Sequence, residues 1–311
     1  MQYFADTEKS IDIKEVNRAI ETAFADHARG IVQMPPKVYI TLPEGDFRTM
    51  PAYLPSLSLA GVKVVNVHPG NPALGFPTVM ALTIILDITT GTPIAILNAT
   101  KLTDMRTGAA GAVAAKYLSP KKEIILGLIG TGRQAEAQYR AISQELNIFG
   151  IKCWSRNSLH AEKFVKTITE HDARSVPVEK ACDCDLLVTT TPSRAPVVRS
   201  EWVQEGTHIN AIGADAPGKQ ELDPLLLKRG QVFVDDLSQA VHSGEINVPI
   251  SRGIFTQEEI AGTLGEVVIG MKKRKNSNQI TMFDSTGLAI QDLAIAAIAM
   301  RNGRTIDLLF P

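Results

Sequence analysis

Residues 123–142 read EIILGLIGTGRQAEAQYRAI: an apolar β-forming run, a glycine turn and an Ala-rich helical segment. Gly130-Thr131-Gly132-Arg133-Gln134-Ala135 matches G-x-G-x-x-G/A in the strand–turn–helix setting that gives the pattern its meaning. Each position has a physical task. Gly130 permits the tight turn, Gly132 lets backbone approach a pyrophosphate, and Ala135 is small enough for the helix to pack on the sheet. The unpaired N–H groups at the helix start then face the phosphates. Downstream, IKCWS (151–155), AEKFVKTI (161–168), LLVTTT (186–191), THINAIG (207–213), VFVDD (232–236) and TMFDS (281–285) alternate apolar runs with helical segments, the rhythm of a parallel sheet built from βαβ units. The second strand ends at Ser155, 23 residues beyond Gly132, where an NAD-binding chain usually places an acid on the ribose 2′-hydroxyl. Here the chain reads Ser155-Arg156-Asn157. A hydroxyl and a guanidinium suit a 2′-phosphate, so the residues favour NADP(H) over NAD(H).

Upstream the pattern changes. KVYITL (37–42), GVKVVNVH (61–68), TVMALTIILDI (78–88) and PIAILNA (93–99) are short β-rich runs punctuated by Pro and Gly, as in a largely antiparallel sheet. Before them, residues 10–29 carry Ile13, Val16, Ile20, Ala23 and Phe24 at helical spacing, with Ser10 as the expected cap and Gly30 just past the end. RTGAAGAVAAKYL (106–118) is dense in small residues, which predicts close helix packing, and SPKK then breaks it. LAIQDLAIAAIAMRNG (288–303) reads as an amphipathic helix returning to the first domain. The expected organisation is a discontinuous α+β domain, 1–118 with 289–311, and a Rossmann-type doubly wound parallel α/β domain, 119–288. KKRKNSN (272–278) reads as a solvated loop.

Composition narrows the function classes. The 311 residues carry 32 Lys plus Arg against 33 Asp plus Glu, a formal net charge of −1 that gives no global attraction to nucleic acid or an anionic membrane. Aromatics at 5% also disfavour base-stacking modules. Cys153, Cys182 and Cys184 are odd in number and clustered, which argues against a disulfide framework and for a reducing, cytoplasmic compartment. Cys182 and Cys184 form C-x-C without a nearby histidine or second pair, so no metal site is expected. The first residues lack the basic start and apolar run of a signal peptide, and no stretch reaches the about 18 apolar residues of a membrane span.

Several strings together carry a resemblance: MPPKVYI, FRTMPAY, GVKVVNVHPGNP, TDMRTGAAGAVAAKYL, GLIGTGRQAEAQ, VTTTPSR, INAIGADAPGKQELDP, VDDLSQAVHSGEIN and FDSTGLAIQD. Across essentially its whole length the chain resembles the ornithine cyclodeaminase and mu-crystallin family, and within it the archaeal-type alanine dehydrogenases. The resemblance implies a homodimer formed through the antiparallel domain, a Rossmann domain for a nicotinamide cofactor, and hydride transfer at the Cα of an amino acid. It also implies that Arg48, Lys63 and Arg106 are substrate-domain cations and that Asp215 is an acid facing the substrate. The chemistry is apt, because a guanidinium holds an α-carboxylate bidentately and a lysine can polarise a carbonyl or relay a proton. Asp215 can take a proton from the α-ammonium, since only a neutral amine can push hydride off Cα.

Of the remaining polar positions, His68 in NVHPGNP reads as a loop histidine bonded to backbone. Glu245, Asn247, Asp284, Ser285 and Thr286 fall where strand ends border a nicotinamide, Ser285 being the cofactor candidate, and Lys219 is a further candidate contact. The expected activity interconverts L-alanine, or a similarly small amino acid, with its 2-oxo acid and ammonia. Ornithine cyclisation to proline, ketimine or imine reduction, and mu-crystallin-like ligand binding are the alternatives. TMPAYLPSLSLAGV, between Arg48 and Lys63, contains no acid to pair with a δ-ammonium, which disfavours ornithine, although Glu44, Asp46 or Asp215 could supply one.

Overall fold

Alternating β-rich and helical stretches become seventeen strands among the described residues of a computed structural model, which describes residues 1–9 and 11–309. In the N-terminal part they are β1 (Gln2–Phe4), β2 (Val38–Leu42), β3 (Gly45–Leu54), β4 (Leu59–Val67), β5 (Val79–Leu86) and β6 (Pro93–Asn98). Then come β7 (Glu123–Ile129), β8 (Asn147–Trp154), β9 (Ala173–Ser175), β10 (Leu186–Thr189), β11 (Arg194–Val198), β12 (His208–Ala211), β13 (Gln220–Leu222), β14 (Gly230–Val234), β15 (Ile260–Thr263), β16 (Ile280–Asp284) and β17 (Thr305–Asp307). The helices that matter for the site are α1 (Ile13–Ala28), α2 (Thr100–Leu118), α3 (Arg133–Ile142), α4 (Ser158–Val165) and the C-terminal helix Ala289–Asn302.

The chain divides into two compact units, Met1–Arg106 with Leu288–Pro311, and Thr107–Gly287. The first division falls inside α2 rather than after Leu118. From residue 107 onward the helix packs in the second unit: a Cβ on Gly108 would strike the Ala137 carbonyl, and one on Gly111 would overlap the Gln138 amide. The small residues of this stretch therefore serve the close packing their density predicts.

In the first unit the strands are ordered β17-β1-β6-β5-β4-β3-β2, and all pairs but β1–β6 are antiparallel. Period-2 alternation puts Met50, Ala52 and Leu54 of β3 on the buried face, together with Gly61, Lys63 and Val65 of β4. The C-terminal helix covers β3, β4 and β5, and α1 packs against that helix with Val16, Ile20, Ala23 and Phe24 buried. Asp12, whose carboxylate accepts from the Lys14 N–H, caps α1; the cap expected at Ser10 lies outside the described residues. The C-terminal helix departs from its amphipathic reading. Residues 289–296 are all buried, because sheet and α1 enclose it on opposite sides.

The second unit is built on an all-parallel sheet ordered β15-β14-β16-β12-β10-β7-β8-β9, with β11 and β13 as a separate parallel pair. The order reverses direction at β7/β10, the switch point outside which ligands bind in such sheets. Cys153, Cys182 and Cys184 are unpaired and buried. The 272–278 stretch is mostly exposed, but Arg274 departs from the solvated reading. Its guanidinium donates to the carbonyls of Leu118 (2.7 Å) and Gly206 (2.8 Å) and to Thr281 Oγ1 (3.1 Å). Among the described residues, no helix is long and apolar enough to cross a membrane.

Candidate functional site

Strand register builds a row of residues at one edge of the second unit's sheet. Trp154, Ile129, Thr189, Ala211 and Asp284 are Cα partners in sequence across five neighbouring strands. The residues that follow them, Ser155, Gly130, Thr190, Ile212 and Ser285, therefore form one row at the carboxyl edge of the sheet. Gly130 has φ +103°, a conformation that favours glycine, and a Cβ there would sit 2.6 Å from Thr190 Oγ1. Its N–H donates to the Trp154 carbonyl at 2.9 Å, which closes the turn. Gly132 is the N-cap of α3, and a Cβ there would meet no described atom within 4 Å. That face is open to a ligand's backbone approach, while Ala135 is fully buried against the sheet. Thr131, Arg133 and Gln134 occupy the turn and the first turn of α3.

Ser155 is half-buried, and Arg156 and Asn157 are exposed. Asn157 caps α4, its Oδ1 accepting from the Leu159 N–H at 3.1 Å, so its side chain already has a structural task. Ser285 is buried, and its Oγ has no hydrogen-bond partner among the described residues. A buried hydroxyl without a partner is uncommon, which keeps Ser285 a candidate for a ligand contact.

Asp215 and Lys219 form a pair, Nζ to Oδ1 at 2.5 Å. Their loop is pinned by Asn247, which accepts from the Gly218 N–H at 3.0 Å and donates to the Lys219 carbonyl at 3.2 Å. Of the five positions expected to border the nicotinamide, Asn247 and three others spend their side chains on the protein. Glu245 accepts from the Glu221 and Leu222 N–H groups, Asp284 from those of Glu245 and Ile246, and Thr286 Oγ1 donates to Asp235. Sequence reasoning missed Glu221. This fully buried carboxylate accepts from the Thr191 N–H (2.5 Å), the Thr189 hydroxyl (2.8 Å) and the Gly213 N–H (2.9 Å), and so fastens the strand ends that lead to Asp215. Burial pushes its carboxyl up to about 7 against the pull of those donors.

The first unit holds a second polar centre. Lys63 on β4 is 1% exposed, and its Nζ lies 2.8 Å from Asp292 Oδ1. Arg106 on α2 brings its Nε to the same oxygen at 3.0 Å and donates from Nη1 to Gln291 Oε1 at 2.9 Å. Burial first, then the Arg106 charge, draws the Lys63 ammonium down to about 7, while Asp292 pulls the other way. A lysine so placed exchanges its proton near neutral pH, as a relay must. Arg48 lies on the same buried face of β3, where its Nε meets Asp46 Oδ1 at 2.8 Å and its guanidinium stacks 5.0 Å from the Tyr39 ring centre. Asp46 is thus committed to Arg48. Asp292 and Gln291 went unread in the sequence, although an acid inside an apolar helix turn is itself a sign of a buried partner. His68 stays in its loop, with Nδ1 3.3 Å from Asn66 Nδ2. Among the described residues no group of three or more His, Cys, Asp or Glu side chains could hold a metal.

The profile of the ornithine cyclodeaminase/mu-crystallin family matches residues 1–304. An alanine dehydrogenase of Archaeoglobus fulgidus is 50% identical over 300 residues, 96% of this chain and 92% of that one. A solved archaeal alanine dehydrogenase dimer with bound NAD superposes with TM-score 0.95 at 48% identity, covering 99% of this chain and all of that one. The Δ1-pyrroline-2-carboxylate reductase of Thermococcus litoralis, solved with NADH and L-proline, follows at TM-score 0.93 and 35% identity, over 97% of each chain. With a G-x-G-x-x-A turn at the switch point of one unit and Lys63 and Arg106 buried together in the other, the chain belongs to the ornithine cyclodeaminase/mu-crystallin family.

Proposed function

We propose that this protein is an amino-acid dehydrogenase that interconverts L-alanine, or a similarly small amino acid, with its 2-oxo acid and ammonia. The observation that carries the reading is the buried Lys63–Arg106–Asp292 group, an excess of positive charge suited to an α-carboxylate, in a chain that also holds a complete dinucleotide turn. The turn fits a nicotinamide dinucleotide: Gly132 is open on its outer side, and the Ser285 hydroxyl lacks a protein partner. Gly130 to Gln134 would hold the pyrophosphate, Ser155 and Arg156 the adenosine ribose, and Ser285 the nicotinamide half. When bound, the cofactor accepts or returns a hydride at the substrate's α-carbon. Arg106 and Arg48 orient the carboxylate and Asp215 takes the α-ammonium proton; after hydride loss a water adds to the imine carbon, and Lys63 takes the proton from the water oxygen that becomes the 2-oxo group as ammonia leaves.

The alanine dehydrogenase at 50% identity supports the substrate class, and so does the commitment of a nearby acid. Asp46 is held by Arg48, which disfavours it as the partner of a δ-ammonium. For the cofactor we read acceptance of both forms with NADP(H) preferred. Arg156 and the absence of an acid at the end of β8 support the preference, and the NAD-bound neighbour supports NAD. A homodimer through the antiparallel sheet is supported by exposed Ile40, Leu82 and Ile94 on its strands and by that dimeric neighbour. The unpaired cysteines support a reducing cytoplasm. A second reading, imine reduction, is favoured by the similarity to the pyrroline carboxylate reductase.

The deciding experiment follows reduced nicotinamide by its near-ultraviolet absorbance while ammonia is assayed in parallel. Alanine, 2-aminobutyrate, valine and ornithine are each given with NAD+ and NADP+, and pyrroline-2-carboxylate with the reduced forms. Cofactor reduction matched by ammonia release, with kcat/KM falling as the side chain lengthens, is the expected result. Proline and ammonia from ornithine without net reduction would make it a cyclodeaminase, and pyrroline-2-carboxylate outpacing pyruvate plus ammonia would make it an imine reductase.

A further inference from the structure

Asp292 offers one oxygen, Oδ1, to two buried cations at once, Lys63 Nζ at 2.8 Å and Arg106 Nε at 3.0 Å. Its other oxygen, Oδ2, is buried without a hydrogen-bond partner among the described residues, as is Gln291 Nε2 beside it. With Lys63 protonated, the two cations and one carboxylate carry a net charge of one positive unit, and the side chains are 1%, 7% and 4% exposed. Lys37 adds to the positive field at Lys63, and Arg48 on the same sheet face has Asp46 as a partner. An uncompensated buried charge is costly, and there are two ways to discharge it: the loss of a proton or the arrival of an anion. Arginine keeps its proton, so only Lys63 can take the first way.

We propose that Asp292 is a positioning residue that sets the proton occupancy of Lys63, so that binding of a carboxylate ligand at this centre is coupled to uptake of one proton at Lys63 Nζ. In the empty centre Lys63 gives its proton to solvent as pH rises. When a carboxylate arrives, its negative charge replaces the missing compensation, Lys63 draws a proton from solvent, and the centre becomes neutral overall. Without Asp292 the same two cations would carry two positive units, and Lys63 would lose its proton at a far lower pH. The ammonium, already drawn down to about 7 by burial and Arg106, sits where such coupling operates at neutral pH. The proposal rests on the amino-acid reading for the identity of the ligand, but not for the role of Asp292.

Two measurements test it. In the first, thermal stability is followed against pH without ligand for wild type, Lys63→Met, Asp292→Asn and the double variant. Lys63 is ordinary in the unfolded chain and depressed in the folded one, so the unfolded state binds the extra proton and wild-type stability relative to Lys63→Met rises with pH between the two values. Asp292→Asn, compared with the double variant, should begin that rise about one to three pH units lower, the shift an adjacent opposite charge produces. A merely structural Asp292 would lower Tm with the inflection unmoved, and that result would overturn the proposal. The second measurement uses wild type alone, which guards against an Asp292 variant that does not fold. The heat of pyruvate binding in the presence of NAD+ is compared in buffers of different ionisation enthalpy at about pH 8, above the folded Lys63 value. Uptake of close to one proton supports the coupling, and none refutes it. Pyruvate that gives no heat counts against the amino-acid reading, while the ligand-free stability series still decides the role of Asp292.

Discussion

Asp215 stands two residues beyond Gly213, whose N–H is held by Glu221, and its carboxylate is paired with Lys219 at 2.5 Å. The carboxylate thus has a cation as its partner, and 36% exposure of its side chain leaves it reachable. Asp215→Asn keeps the shape and removes the basicity, so kcat should fall about 100-fold or more, the usual worth of a positioned acid–base group. Partly exposed pairs contribute only about 0–1 kcal/mol to stability, so the unfolding midpoint should hardly move. Steady-state kinetics beside a urea titration checks this, and near-wild-type turnover would take Asp215 out of the proposed mechanism. The same scale shows how one residue type divides by environment. Asp292 is enclosed with two cations and sets their charge, whereas Asp46 is half-exposed and balances a single arginine.

Between elements, the packing of α2 on α3 turns on two glycines. Gln138 of α3 is fully buried, with Nε2 donating to the Thr107 carbonyl at 2.8 Å and Oε1 accepting from Asn210 at 3.5 Å. A methyl group at position 111 would occupy the space of that amide, so Gly111→Ala forces Gln138 to surrender its bonds or α2 to lift. Alanine gains about 0.5–1 kcal/mol over glycine inside a helix, but overpacking and an unsatisfied buried amide together cost about 2–4 kcal/mol. The urea midpoint should therefore drop with m unchanged. A midpoint that rises would mean the helices yield by more than their contact suggests. Because α3 begins at the dinucleotide turn, the variant should also weaken NADH binding measured by fluorescence.

For the molecule as a whole, acid sensitivity follows from a polar thread through the core of the second unit. Arg274 bonds Thr281 Oγ1, which lies 2.9 Å from His208 Nδ1; His208 Nε2 lies 3.0 Å from Asn210 Oδ1, and Asn210 donates to the Gly111 carbonyl at 2.9 Å. Burial, then the Arg274 charge, draws His208 down to about 3. The folded value is below the unfolded one of 6.5, so the unfolded chain takes the proton first, and this group's stability is lost as pH falls from 6.5 towards 3. Each pH unit inside that window costs up to about 1.4 kcal/mol. His208→Gln should be less stable at neutral pH yet lose less on acidification, which parallel urea titrations at neutral and mildly acidic pH would read. An equal acid loss in both proteins would show that His208 does not govern it.

What the sequence determined by itself was whatever is written in local periodicity and in contiguous motifs. The β-rich runs before residue 100, the βαβ rhythm after 119 and the Gly130–Ala135 turn all depend on neighbours along the chain, and all stand in the structure. Ser285 as a strand-end hydroxyl was legible for the same reason, since the switch-point rule works on strand order. What depended on residues far apart waited for the tertiary structure. Lys63 and Asp292 are 229 positions apart and Arg106 lies 186 from the same acid, so no spacing rule could join them. Nor could it show that Glu245 and Asp284 are spent on backbone N–H groups, or that residues 289–296 of the C-terminal helix are all buried and must neutralise their acid internally. The reason is physical: a periodic pattern records which face of an element is apolar, but the charge state of a buried group depends on every element packed against it.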